Sequence, residues 1–199
     1  MAGDIVLLAA ALFSAVLMFR QTEDTSEEQS LLLKVSCLAL VFVALAALGR
    51  LTLTDSGQDI ETLQRMLDNL ALYAALPLLA TVMAGQAMQW HWSRAGWGRW
   101  LLGLFALFEL CRRMGLGEAY TLAIGIAISF VLLGAALRLH GTFARLASAG
   151  SGLLLAVAVC SPLLPVPPLP AFVLSSALAA ALPLFAFALL SQVKQPSPQ

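Results

Sequence analysis

The chain has 199 residues, 60% of them hydrophobic and 11% charged, with a mean hydropathy of +0.89. Soluble domains carry about 25% charged residues, so this inventory cannot cover a water-facing surface. Eleven basic and eleven acidic residues cancel, and the sequence has no basic tail or RNA-binding aromatic pattern, so nucleic acid is not an expected partner.

Apolar runs close to the ~20 residues that cross a hydrocarbon core recur over 5–19, 31–49, 67–88, 97–116, 119–139, 147–164 and 169–193. They predict an all-α, polytopic transmembrane helical bundle of about seven spans, one domain over residues 1–199. The first run follows Asp4 with no Lys or Arg ahead of it. A secretory signal needs a positive n-region, so residues 5–19 are expected to be a retained span. Thr25 with Glu28 three residues on fits a capping box, starting the second helix before the bilayer, with Glu27 and Glu28 favourable to its dipole. Ile60, Leu63, Leu67 and Leu70 form one helical stripe ahead of the third run. Helix three should therefore begin early, with an interfacial turn or two.

All four tryptophans, Trp90, Trp92, Trp97 and Trp100, fall between the third and fourth runs. Indoles favour the headgroup layer, and His91, Arg94 and Arg99 would meet anionic lipid there. Membrane-interface anchoring is the expected role, with ligand stacking as the alternative. Further on, Thr121, Gly125 and Ser129, and likewise Gly152, Ala156 and Cys160, are small residues at four-residue spacing that let helices approach closely. The Pro-rich stretch 165–170 predicts a tight turn between the last two spans. Cys37, Cys111 and Cys160 form no CxxC pair and are expected to be packing residues.

Residues 70–86 align with 176–192 at nine of seventeen positions, including Pro77 with Pro183 and Gln86 with Gln192. The third and seventh spans run the same way in a seven-span chain, as a parallel three-plus-one-plus-three duplication requires. Coincidence in an Ala/Leu-rich composition is the competing explanation, since spans one and two do not align convincingly with five and six. Pro77 and Pro183 are candidate kinks, where freed carbonyls can line a cavity.

Arg20, Lys34, Arg94, Arg99, Arg138, Arg145 and Lys194 fall on one side of such a bundle, and Arg50, Arg65, Arg112 and Arg113 on the other. The richer side should be cytoplasmic. The N-terminus is thus expected outside and the C-terminus inside, in a bacterial cytoplasmic (inner) membrane.

Ionisable groups inside a bilayer cost about 2.5 kcal/mol or more at its centre. Glu109 lies well inside an apolar run, with Arg112 and Arg113 at the spacing where helical side chains meet. It is expected to pair with Arg50 or with its own Arg112 or Arg113. Arg50, Asp68, Asn69, Tyr73, Glu109 and Arg112 reach the same outer level and form the candidate ligand-binding set. Mutual neutralisation of these groups to hold the bundle together is the alternative.

No HExxH, GxSxG or Walker loop occurs, and no lysine lies deep in the last span as a retinal protein needs. No enzyme activity, metal or cofactor is therefore expected. The sequence favours a small carrier or receptor for an apolar or amphipathic molecule or lipid. An accessory subunit of a larger membrane complex, or a homo-oligomer, is the alternative.

Overall fold

The computed structural model describes residues 2–23, 25–53, 57–90, 92–161 and 169–193. Residues 54–56, His91, residues 165–168 of the Pro-rich stretch and Lys194 lie outside the described residues. The described chain forms seven helices: α1 (Ala2–Arg20), α2 (Glu27–Thr52), α3 (Gln58–Met88), α4 (Arg94–Arg113), α5 (Gly117–Arg138), α6 (Thr142–Cys160) and α7 (Ala171–Val193). Each corresponds to one apolar run. First turns carry acids (Asp4, Glu27, Asp59, Glu118) and last turns carry bases (Arg20, Arg50, Arg112, Arg138), the placement that the helix dipole favours.

Six of the seven helices are long and apolar enough to cross a membrane. The other is α4, where Arg94, Arg99, Glu109, Arg112 and Arg113 flank a short apolar middle. It nonetheless runs antiparallel beside α3. Trp100 Nε1 donates to Thr81 Oγ1 at 3.1 Å near one end, and Phe108 stacks on Tyr73 at 3.9 Å toward the other.

Helix α3 begins at Gln58, as the Ile60–Leu70 stripe predicts, and none of residues 58–70 is buried. The Thr25/Glu28 capping box does not form. Ser26 is the N-cap residue, and the Thr25 hydroxyl donates to the Gln21 carbonyl at the end of α1, where carbonyls lack helical partners. A π-helical turn, Ala71–Ala75, interrupts α3 just before Pro77. Proline has no N–H to return to the carbonyl four residues back, and its ring crowds that group, so the chain widens by one turn. Pro183 instead sits inside an α-helical α7.

Neighbours in sequence pack on one another along α1–α2–α3 and along α5–α6–α7. Two further seams, α3 with α5 and α7 with α1, close these six helices into a ring, while α4 lies outside against α3 and α5. The α5–α6 seam is tight because a Cβ added at Gly125 would meet Val159 Cγ1 at 2.7 Å. That is the close approach expected of the small-residue stripe.

One end of the ring is filled by Met18, Met83, Leu139 and Leu189, all buried. Gln192 closes it further: its Nε2 donates to the His140 carbonyl at 2.7 Å, and the His140 N–H donates to its Oε1 at 3.1 Å. The opposite end, where Asp4, Arg50 and Asp68 lie, is not filled in this way.

Candidate functional site

At that opposite end the six ring helices enclose a cavity of about 360 Å³. Every helix of the ring contributes to it: Leu7 from α1, Val43 and Ala46 from α2, Leu72 and Leu76 from α3, Thr121 from α5, Val159 from α6, and Leu178 from α7. The walls are mainly apolar. Polar groups are Arg50 at the last turn of α2, Asp68 and Asn69 on α3, Thr121 at the start of α5, and Ser175 on α7.

Arg50 organises this polar rim. Its Nε donates to Asp68 Oδ1 at 2.9 Å, and its Nη1 lies 3.8 Å from Asp4 Oδ1. Ser175 Oγ donates to the same Asp4 oxygen at 3.3 Å. Four helices are thereby joined through one guanidinium and two carboxylates. The Arg50 and Asp68 side chains remain 34% and 36% exposed, so both keep surface that a ligand can reach.

The six candidate residues divide into three groups. Arg50, Asp68 and Asn69 come together on the cavity. Tyr73 is buried beside it: its ring stacks on Phe108, and its hydroxyl shares a 2.5 Å hydrogen bond with the cavity-lining Thr121. Glu109 and Arg112 stand apart from the cavity. Of the two pairings expected for Glu109, the local one forms: Arg112 grips both carboxylate oxygens at 2.8 and 2.9 Å, and Arg113 adds a third contact at 2.8 Å. The spacing of three and four residues on one helix explains that choice, and it leaves Arg50 to Asp68 and Asp4.

Asp4, Thr121 and Ser175 belong to the site but were outside the candidate set. Asp4 drew notice only as an acid ahead of the first span, and Thr121 as a packing residue. Their common signal is position, since each lies in the first turns of an odd-numbered helix and so at the same end of the bundle.

Pro77 and Pro183 do not line the cavity, although Leu76 does. Pro77 faces the groove between α3 and α4 instead, and the Thr81 hydroxyl donates to its carbonyl at 2.7 Å. Among the tryptophans, Trp90 and Trp100 are exposed and Trp92 is half-buried. Trp97 is buried at 5% exposure against Trp92, inside the protein rather than at its surface. Among the described residues, no group of three or more His, Cys, Asp or Glu side chains is placed to hold a metal ion.

Comparison with known proteins supplies no relative: no family model matches the chain, and no curated protein or solved structure matches it.

Proposed function

We propose that this membrane protein is a small carrier or receptor for an amphipathic molecule, held with its apolar body in the ring cavity and its polar end at Arg50, Asp68 and Asn69. The observation that carries this reading is the cavity itself, about 360 Å³ of mainly apolar space with a few convergent polar groups at one end. Small-molecule sites have that size and make-up. The filled end around Met83, Leu139 and Gln192 supports a cavity entered from the Arg50 side. The Lys/Arg distribution favours placing that side away from the cytoplasm, with the N-terminus outside a bacterial inner membrane. The order of helices in the ring fits a duplicated three-helix unit joined by α4, with Pro77 and Pro183 in corresponding places.

Native mass spectrometry of the protein extracted from its membrane tests the reading. The expected result is a bound amphipathic molecule at one per chain, lost in Ala46→Phe, which fills the cavity from α2. A stoichiometric protein partner with no small molecule would favour the accessory-subunit alternative and overturn the carrier reading.

A further inference from the structure

A second space lies outside the ring, where α4 leans on α3 and α5. It is a slot of about 520 Å³, walled by Pro77, Leu104, Leu107, Ile124, Ile128 and Val131 among others. Of the twenty residues of α4, only Trp97 and Leu104 are buried. The helix therefore covers the slot without filling it. One end is bordered by Tyr120, beside the stacked Tyr73 and Phe108 rings. The other is bordered by Trp90, Trp92 and Trp100, with Trp100 held by its hydrogen bond to Thr81.

From this geometry we infer that the slot is a binding site for one acyl chain of an anionic phospholipid, whose phosphate lies at Arg99. Three observations specify that occupant. First, the walls are almost wholly apolar, and a bilayer offers hydrocarbon rather than water to such a space. Second, Trp100 and Phe108 are eight residues apart on α4, about 12 Å along the helix. That approaches the ~15 Å depth of one leaflet in a ~30 Å hydrocarbon core, so one chain fits from headgroup level to its end. Third, a shallower depression lined by Trp92, Ser93, Gly96, Arg99 and Trp100 shares two tryptophans with the slot. Arg99 thus stands at the mouth of the slot, and it has no ion pair or hydrogen bond among the described residues. A guanidinium at headgroup depth, flanked by indoles, complements a lipid phosphate in charge and geometry. Neighbouring Arg94 is engaged by Glu27 at 3.7 Å, which leaves Arg99 as the cation facing the headgroup.

All four tryptophans lie in or beside this region, so intrinsic fluorescence reads the site directly. The full chain is reconstituted in phosphatidylcholine vesicles containing increasing amounts of phosphatidylglycerol brominated in mid-chain, a contact quencher. Quenching should saturate at low mole fraction, with a preference of about fivefold over brominated phosphatidylcholine, the effect of one cation near the headgroups. Arg99→Gln, at an exposed position, should remove the preference while chain quenching persists. Ala127→Phe, which narrows the slot from α5, should weaken saturable quenching by both lipids. Equal quenching by the two lipids in proportion to their mole fraction would overturn the inference. So would a preference that survives Arg99→Gln, or quenching that disappears at high protein density because a second copy covers the slot.

Discussion

At the Arg50 end of the bundle, two clusters use the same chemistry and do different things. At the cavity, Arg50 reaches Asp68 on α3 and Asp4 on α1. On α4, Arg112 and Arg113 fold back onto Glu109 of their own helix. The difference follows from spacing. Glu109 finds two cations within one helical turn, so nothing remains for it to reach across the bundle. Arg50 has no carboxylate at three or four residues on α2, and its charge is met only by other helices. Arg50, without a partner on its own helix, bridges to two others, and it also lines the cavity.

That contrast can be broken by mutation. Arg50→Ala removes the cation shared by Asp68 and Asp4. With Asp68 36% and Asp4 18% exposed, the expected loss is about 1–2 kcal/mol. In a chain of this size that lowers the melting temperature in detergent by several degrees, roughly 2–4 °C per kcal/mol. Ligand retention should fall with it. A melting curve that does not move would show that Arg50 is solvated independently of its carboxylates.

Tyr73→Phe separates support from binding, because Tyr73 flanks the cavity without lining it. The stack on Phe108 survives and the bond to Thr121 is lost, at about 1 kcal/mol. Ligand retention measured alongside stability should stay near the wild-type level. A larger effect on binding than on melting would place the tyrosine hydroxyl in the site itself.

Glu109→Gln should have the smallest effect. Its partners are 61% and 76% exposed and lie on its own helix, so they remain hydrated when the carboxylate is neutralised. Melting temperature and ligand retention should both match the wild type. A clear fall in either would mean that α4 is held to the bundle through this carboxylate.

Six of the helices were legible as long apolar runs, and α4 as a shorter apolar stretch between charged ends. The early start of α3 was legible because the Ile60, Leu63, Leu67 and Leu70 stripe has helical period. The ring was not legible, since helix order around it is set by packing between distant segments such as Gly125 with Val159. The site was legible in part. Arg50, Asp68 and Asn69 stand out as polar residues at helix ends, whereas Thr121 and Ser175 look like ordinary small residues until the ring brings them to the cavity. Tyr73 stands one turn from Asn69 in sequence, but its ring meets Phe108 because α4 lies outside the ring, a placement that periodicity cannot supply. The Thr25/Glu28 motif failed for a local reason: the end of α1 offered the Thr25 hydroxyl an unpaired carbonyl.

Cysteine accessibility shows whether a cavity opens inside the ring from the Arg50 end. Leu178 lines that cavity on α7, and Leu178→Cys can be made in a chain whose Cys37, Cys111 and Cys160 are replaced by alanine. In sealed vesicles of known orientation, a membrane-impermeant maleimide should label position 178 only from the side that holds the N-terminus. Adding Ala46→Phe should abolish that labelling. Labelling from the opposite side, or labelling that Ala46→Phe leaves unchanged, would mean that no cavity opens inside the ring from the Arg50 end.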